Sequence, residues 1–265
     1  MKNQNKKLER FYDKVYHKGE GKHFTNLVVT GKTSEEYTEV LKEINWKGKR
    51  ILEVGCGTGN FAYQVAKKGG KILAIDYSDE AIKLARNQYK HTNLEYEKFD
   101  VNKKINEKFD VIVSIGTMEH MDNPFEMLKK FKRTLNQNGK IIITSPNWVN
   151  PRGYMLLTLY YLFEAPITLA DLHYLTPIEF DKWAKKLGMK LKWRTIDKSW
   201  AHGDILVEDF KRRIPNVLKD TNLKVPKKNI SNFIEWIQSH VTTMDNNLQH
   251  SGATGLYVLQ LTSKK

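Results

Sequence analysis

Apolar residues along the chain follow two alternating spacings. Short apolar runs favour strands, and the segments between them carry apolar residues at every third or fourth position, which favours helices. Up to residue 146 this alternation predicts one helix and then five strands separated by further helices. The strands are predicted at Arg50–Val54, Lys71–Asp76, Leu94–Phe99, Phe109–Ile115 and Lys140–Thr144.

Polar and turn residues mark the ends of the predicted helices. Residues 33–36 (TSEE) form a capping box, and Ser78 precedes two acids in the first turn of another helix. Pro124 begins a later helix, which Gly139 ends before the fifth strand. Strands that alternate with helices in this way imply a parallel sheet with right-handed crossovers, and therefore an α/β fold.

The pattern changes after residue 146. Asn147–Leu172 is aromatic and apolar without a strand period, which indicates an insertion. A second capping box at Thr176–Glu179 begins another helix. Lys190–Ile196 and Gly255–Thr262 alternate like strands, and Ala201–Gln249 between them carries two predicted helices. We therefore expect two further strands and a second, helical insertion.

Composition restricts the setting of the protein. A chain of 265 residues with 40% hydrophobic residues can bury a substantial core. The single cysteine, Cys56, cannot form an internal disulfide, and the first ten residues lack the apolar centre of a signal peptide. The longest apolar run, Tyr154–Phe163, is about half of the roughly 20 residues that span a bilayer. A cytoplasmic protein without a transmembrane helix is expected.

The charge balance permits an anionic partner without selecting one. A net charge of +14 would suit nucleic acid, a phosphorylated metabolite or an acidic membrane surface. The lysines are scattered along the chain, however, as on an ordinary solvated surface, and this interpretation is favoured.

The most specific motif lies where the first strand becomes a helix. Residues 53–59 read Glu-Val-Gly-Cys-Gly-Thr-Gly, and glycines at such a turn let the backbone approach a ligand closely. A nicotinamide dinucleotide fingerprint would require its third glycine at position 60, which is Asn60. The spacing is Gly-x-Gly-x-Gly instead.

This segment resembles motif I of class I S-adenosylmethionine-dependent methyltransferases. The resemblance extends from about Glu35 to Pro146. It implies a Rossmann-like, doubly wound, seven-stranded and mostly parallel sheet whose last strand enters antiparallel. It also implies S-adenosylmethionine as the cofactor and methyl transfer as the reaction.

The same resemblance assigns roles at the ends of the next strands. Asp76 matches the acid that binds the ribose hydroxyls of the cofactor, and Asp100 matches the acid that accepts from the adenine amino group. Val101 would pack on the adenine ring. Taken singly, Asp76 is equally a turn residue and Asp100 a surface acid. Their succession on neighbouring strand ends favours a cofactor site.

The three glycines and their neighbours complete the predicted cofactor site. Gly55, Gly57 and Gly59 would line the methionine moiety. The remaining predicted cofactor contacts are Glu53, Tyr77 and Ile115.

A Glu-His pair follows the fourth strand. Glu119-His120 matches a pair in the branch that includes ubiquinone-pathway O-methyltransferases. That branch can place another acid three residues earlier to help hold a divalent metal, and this sequence has Gly116 there. We therefore expect no metal.

Methyl transfer from a sulfonium relies largely on positioning, and a base is needed only where the acceptor must lose a proton. A neutral imidazole is suited to that task, which makes His120 the first candidate and His173 the second. Both histidines could instead have structural roles.

The insertions are the expected acceptor caps. We expect residues 1–265 to form one domain, with residues 35–146 binding the cofactor and residues 147–172 and 201–249 covering the acceptor. An apolar helical face in the second insertion would pack on Tyr154–Phe163, while polar contacts at the rim would come from Arg152, His173 and His202. The members of that face are Phe233, Ile234, Ile237, Val241, Met244 and Leu248.

The aromatic residues of the first insertion would line a lid, pack as ordinary core or form a homodimer face. They are Trp148, Tyr154, Tyr160, Tyr161 and Phe163.

The favoured function is O- or N-methylation of a small aromatic, lipophilic or anionic metabolite. An RNA or protein methyltransferase is the alternative, supported by the basic segments Lys211–Arg213 and Lys227–Lys228 but by no RNA-binding motif. A catalytically silent module that binds the cofactor is the third possibility.

Overall fold

A seven-stranded sheet forms the centre of the molecule. The computed structural model describes residues 34–165, 167–168, 171–197, 203–221, 223–242 and 250–261. The strand order is β3-β2-β1-β4-β5-β7-β6, and β7 is antiparallel to both of its neighbours. The predicted fold class is thereby confirmed. The strands are β1 (Arg50–Val54), β2 (Lys71–Asp76), β3 (Leu94–Lys98), β4 (Phe109–Ile115), β5 (Leu135–Pro146), β6 (Met189–Ile196) and β7 (Thr254–Leu261).

Helices connect the strands and form the two insertions. They are α1 (Glu35–Leu41), α2 (Asn60–Lys67), α3 (Asp79–Gln88), α4 (Pro124–Thr134), α5 (Pro151–Phe163), α6 (Pro177–Leu187), α7 (Gly203–Asp220) and α8 (Lys227–Trp236). A 3-10 turn spans Met118–His120, and a π-helical segment, Ile237–Val241, continues α8. None of the helices described is long and apolar enough to cross a bilayer.

Side-chain caps begin several helices where the sequence predicts them. The Ser78 hydroxyl accepts from the Ala81 amide, and Thr176 and Glu179 form a reciprocal capping box at α6. At α1 the cap is Ser34, whose hydroxyl accepts from the Tyr37 amide at 3.0 Å. Thr33, the first residue of the predicted box, lies outside the described residues.

Apolar side chains cover both faces of the sheet. Ile112, Ile143 and Phe131 belong to a cluster on one face, which α4 and α6 cover. Ile142 and Phe61 belong to the cluster on the other face, which includes residues of α1, α2 and α3. The strands are therefore buried from both sides, as expected for a doubly wound sheet.

The fifth strand begins earlier than predicted. It starts at Leu135, because Leu135 already pairs with Phe109 of β4. The pairing then shifts, so that Val111 lies opposite Lys140, and Asn138 adopts a φ of 61° within this irregularity. The helix stop expected at Gly139 is thus a bulge inside a longer strand. Pairing with β4 keeps these residues in the strand although their local sequence favours a turn.

The two insertions share a third apolar cluster beyond the sheet. Its buried members include Leu156 of α5, Phe210 and Ile214 of α7, and Ile234 and Ile237 after them. Part of the predicted helical face therefore packs against α5 and α7. Met244 and Leu248 of that face lie outside the described residues.

Candidate functional site

The glycine-rich turn after β1 has the backbone that the motif predicts. Gly55, Gly57 and Gly59 have φ values of 79°, 51° and 80°. A Cβ at Gly55 would overlap the Thr117 side chain, and one at Gly59 would overlap the Tyr96 ring. Close neighbours as well as the backbone conformation therefore require glycine at these two positions.

Asp76 is fixed against this turn. Its Oδ2 accepts from the Gly57 amide at 2.9 Å, and its Oδ1 accepts from the Ser78 amide at 3.0 Å. The residue is 8% exposed. Two amide donors thus hold the carboxylate in one orientation at the end of β2. Tyr77, the next residue along the chain, is half-buried.

Glu53 lies beneath the same turn with an unsatisfied oxygen. The residue is 2% exposed, and its Oε2 has no hydrogen-bond partner within the described part of the chain. Burial, reinforced by the charge of Asp76, raises the pKa of its carboxyl group well above the usual range. An orphaned buried acceptor of this kind is suited to a ligand that brings a donor or a positive charge.

The remaining predicted cofactor residues lie at the ends of neighbouring strands. Asp100 follows β3, is exposed, and accepts from the Asn102 amide at 2.9 Å. Val101 packs at the edge of the apolar cluster next to it, and Ile115 is half-buried at the end of β4. Because β3, β2, β1 and β4 are successive in the sheet, the structure brings these residues to the same edge as the glycine turn.

The Glu-His pair lies in the 3-10 turn after β4. His120 Nδ1 is 3.4 Å from Asp171 Oδ1, and their side chains are 16% and 13% exposed. Glu119 is 2% exposed, and its Oε2 is unpartnered within the described residues. Burial, followed by the charge of Asp171, raises the pKa of Glu119 well above its usual range.

Backbone contacts hold the segment that carries Asp171 against this turn. The amides of Leu172 and His173 both donate to the Glu119 carbonyl, at 2.9 and 3.1 Å. His173 Nε2 lies 2.9 Å from the Met121 carbonyl. Since a carbonyl only accepts, Nε2 carries the proton in this contact, which favours a structural role for His173 over that of a base.

These contacts bear on the expectation of no metal. Glu119, His120 and Asp171 each offer one ligand atom, and the three atoms lie within 4.8 Å of one another. Position 116, where the related branch can have a metal-binding acid, is a glycine here. Asp171 therefore places a second acid near the Glu-His pair from a different part of the chain. The contact between His120 and Asp171 needs no metal ion to explain it, and the absence of a metal stays a prediction.

A buried ion-pair cluster ties α5 to α7. Arg152 Nε lies 3.0 Å from Asp209 Oδ2, and Arg213 also bonds the Asp209 carboxylate, whose side chain is fully buried. Burial alone would raise the pKa of Asp209, but the hydrogen bonds and charges of Arg213 and Arg152 outweigh it and lower the pKa to about 2. Arg213 further donates to the Ile167 carbonyl at 2.8 Å. Arg152 is thus half-buried between α5 and α7, while His202 lies outside the described residues.

The aromatic residues of the first insertion separate into two groups. Trp148 is buried and meets Tyr174 edge to face at 5.0 Å, and Tyr160 meets the same ring at 4.7 Å. Tyr154 and Tyr161 are 58% and 73% exposed, and Phe163 is 49% exposed. The exposed group is neither ordinary core nor the lining of a closed lid.

Two acids near the site were missed by sequence reasoning. Asp171 lies two residues before His173, and Glu36 belongs to the predicted capping box. Glu36 contacts Thr144 at the end of β5, and burial raises its pKa. The only local signal for Glu36 was an acid in a first helical turn, and this position is common for acids in any helix.

Comparisons with known proteins agree with this geometry. Residues 45–197 match the model of a methyltransferase domain. A ubiquinone biosynthesis O-methyltransferase of Coxiella burnetii is 28% identical over 177 residues, which are 64% of this chain and 74% of that protein.

Solved structures show a similar fold. One is an S-adenosylmethionine-dependent methyltransferase from Archaeoglobus fulgidus, with a TM-score of 0.57 and 17% identity over 90% of this chain and 99% of that one. Another is phosphoethanolamine N-methyltransferase 2 of Haemonchus contortus in complex with S-adenosylmethionine. It has a TM-score of 0.56 and 18% identity over 86% of this chain and 52% of that one.

Proposed function

Because the chain belongs to the S-adenosylmethionine-dependent methyltransferase family, with S-adenosylmethionine as its cofactor, we propose that it methylates a hydroxyl group of a small-molecule acceptor. The observation that carries this proposal is the pairing of His120 with Asp171 beside the cofactor edge of the sheet. The likeness to an O-methyltransferase supports a hydroxyl as the acceptor.

The cofactor supplies a methyl group already activated by its positively charged sulfur. Gly55, Gly57 and Gly59 allow the backbone to approach the methionine moiety. Asp76 binds the two ribose hydroxyls, because each of its oxygens accepts from one backbone amide and has a second lone pair for a hydroxyl. The orphaned oxygen of Glu53 suits the cofactor's amino group.

The adenine end lies further along the same edge of the sheet. Asp100 accepts from the adenine amino group, while Val101, Ile115 and Tyr77 provide contacts with the rings. The half-buried state of these three side chains supports this assignment, because each retains surface for a ligand.

His120 accepts the proton that the acceptor hydroxyl loses. Its Nδ1 faces Asp171, so a proton on Nδ1 is directed at a carboxylate, and Nε2 is the nitrogen that we assign as the proton acceptor. Asp171 thereby fixes the tautomer of His120, as a carboxylate does in other histidine-carboxylate pairs. His173, the second candidate base, holds the loop through Met121.

The insertions shield the acceptor from water. Residues 147–172 and 201–249 follow β5 and β6, and open α/β sheets bind ligands beyond the carboxyl ends of their strands. The anchoring of Leu172 and His173 on Glu119 supports a cap that is held at the site. Excluding water strengthens the charge interactions around the transferring methyl group.

An RNA acceptor has less support. In the basic segment Lys211–Arg213, Lys211 pairs with Glu208, and Arg212 and Arg213 pair with Asp209. Arg152 also pairs with Asp209, so three arginines share one carboxylate and the segment keeps a net positive charge. An RNA acceptor nevertheless has less support than a small molecule, because no RNA-binding motif accompanies these residues.

We predict that Asp76→Ala weakens S-adenosylmethionine binding by about 1.5–3 kcal/mol, because it removes charge-assisted hydrogen bonds to the ribose. Isothermal titration with the purified variant measures this. Asp79→Ala is the matched control, since Asp79 is an exposed acid on the following helix. Equal affinity of Asp76→Ala and the unaltered protein would remove Asp76 from the cofactor site.

The proposed reaction is tested with S-adenosylmethionine carrying a labelled methyl group. A panel of phenols and catechols is offered beside the same compounds without their hydroxyls, and beside matched amines and transfer RNA. Label transferred only to hydroxyl compounds supports the proposal. Label on RNA or amines alone contradicts it, and cofactor binding without any transfer indicates a silent module.

A further inference from the structure

Helix α5 is apolar on all sides, yet few of its residues are buried. Its 13 residues, PRGYMLLTLYYLF, contain no acid, and Arg152, its only base, is paired with Asp209. Only Gly153 and Leu156 are buried. A helix that is apolar all round is ordinarily buried, so its outward side requires a covering surface.

The start of α5 is well anchored. The Asn150 side chain caps the helix by accepting from the Gly153 amide at 2.7 Å, and it donates to the carbonyls of Asn147 and Gly252. A Cβ at Gly153 would overlap the Trp148 backbone. The helix is thus held in place by packing at its first turn, and its outward side chains are presented in a defined direction.

The outward side is continuous with an apolar groove. Tyr154, Leu157, Thr158, Tyr161 and Leu162 line a shallow depression on α5. Thr158 also lines the neighbouring groove, of about 340 Å³, between α5, α7 and α8. The groove is lined almost wholly by apolar side chains, among them Leu159, Phe210, Ile214, Ile230 and Phe233.

Helix α8 extends this surface on the far side of the groove. Phe233 is 37% exposed and stacks with Trp236, which is 49% exposed. We call the depression on α5, the groove, Phe233 and Trp236 together the apolar face. It combines aliphatic side chains with tyrosine and tryptophan, a mixture typical of the boundary between lipid headgroups and acyl chains.

Basic residues border the apolar face. Lys224, Lys227 and Lys228 are exposed. Their sequence neighbours Val225 and Asn229 line the groove, so the lysines lie at its border. Neither the sequence of α5 nor residues 221–234 contain an acid. Asp220 and Glu235 flank this segment, but residues 219–235 hold four lysines and two acids, so the border of the groove on the α8 side has a net positive charge, which complements anionic headgroups.

We propose that the apolar face docks onto the surface of an anionic lipid bilayer. Tyr161 and Leu162 of α5 enter the boundary between headgroups and acyl chains, and Lys227 and Lys228 meet the headgroup phosphates. At 13 residues, α5 is shorter than the roughly 20 residues that span a bilayer, so it lies in the interface. This proposal is independent of the acceptor and of the role of His120.

A second copy of the chain fits this surface less well. A two-fold interface places the same patch of both copies together, so the lysine borders of the two grooves would approach each other. Like charges brought together in this way oppose association. An anionic bilayer instead attracts the same lysines.

Flotation with lipid vesicles tests the proposal on the full chain. We expect the protein to float with vesicles of phosphatidylcholine containing about 30 mol % phosphatidylglycerol, and much less with phosphatidylcholine alone. Added salt should weaken binding, because the lysine contribution is screened. Equal flotation with both vesicles, or none with either, would overturn the proposal.

Two pairs of substitutions identify the face. The double variants Tyr161→Ser with Leu162→Ser, and Lys227→Glu with Lys228→Glu, should each lower vesicle binding by roughly tenfold or more. Ile178→Ser and Lys104→Glu are matched controls, since both residues are exposed outside the apolar face. Tm and S-adenosylmethionine affinity should stay unchanged in all of these variants, which separates loss of docking from loss of folding.

Sedimentation without lipid tests whether a second copy of the chain, rather than a bilayer, covers the apolar face. A dimer that forms without vesicles and dissociates in the Tyr161→Ser, Leu162→Ser variant would assign the face to a second copy and contradict the proposal. A monomer that gains vesicle binding only with anionic lipid supports it.

Discussion

His120→Ala is expected to lower turnover by roughly 10²–10⁴-fold and to leave the affinity for S-adenosylmethionine nearly unchanged. In the proposed reaction the imidazole takes the proton of the acceptor hydroxyl. It lies in the turn after β4, whereas the predicted cofactor contacts come mainly from residues at the ends of β1, β2 and β3. Removing it should therefore slow the chemical step without weakening cofactor binding. Single-turnover transfer of a labelled methyl group and isothermal titration measure the two quantities separately.

Two further variants sharpen this test. Asp171→Asn should reduce the same single-turnover rate, because an amide holds the Nδ1 proton of His120 less firmly than a carboxylate does. His173→Ala is the matched control, since its ring bonds the Met121 carbonyl and should affect stability more than the rate. Full turnover by His120→Ala on the acceptor would exclude this histidine from catalysis.

Asp209→Ala is expected to destabilise the helical insertions by about 3–5 kcal/mol, because it leaves Arg152 and Arg213 without their shared buried partner. Glu208→Ala is the matched control on the same helix. Glu208 is exposed and pairs with Lys211, so its loss should change stability by about 1 kcal/mol at most. Urea unfolding, followed by hydrogen exchange of α5 and α7, locates the effect. Equal stability of the two variants would show that the buried cluster does not hold the insertions together.

Acidification should produce a related effect. The pKa of Asp209 is lowered to about 2 in the folded protein, below the value of about 3.9 expected in the unfolded chain. A carboxyl group whose pKa is lowered by folding stabilises the folded protein at pH values above its pKa in the unfolded chain. This stabilisation is lost as the pH falls from about 4 through about 2. Asp209→Asn should therefore show a smaller loss of stability than the unaltered protein over this interval. Identical acid unfolding curves would contradict the assignment.

Sequence reasoning placed the glycine turn and the strand ends well, because they depend on local signals. Each strand was visible as a short apolar run, and the residues after parallel strands necessarily meet at one edge of a doubly wound sheet. The glycines after β1 and the acid ending β2 therefore converge without any knowledge of side-chain packing. The limits of β5 were missed, because its first residues carry turn signals and become strand only through pairing with Phe109 of β4.

The sequence by itself determined the class of fold, the glycine turn and the places of Asp76, Asp100 and His120 along the strand ends. Only the tertiary structure decided that Asp171 faces His120, that Glu36 reaches Thr144, and that Arg152 and Arg213 share Asp209. It also showed that only Gly153 and Leu156 of α5 are buried, although the helix is apolar on all sides. The physical reason is common to these cases. A strand end or a helix cap is specified by residues a few positions apart, whereas burial and ion pairing depend on which distant segments pack against each other.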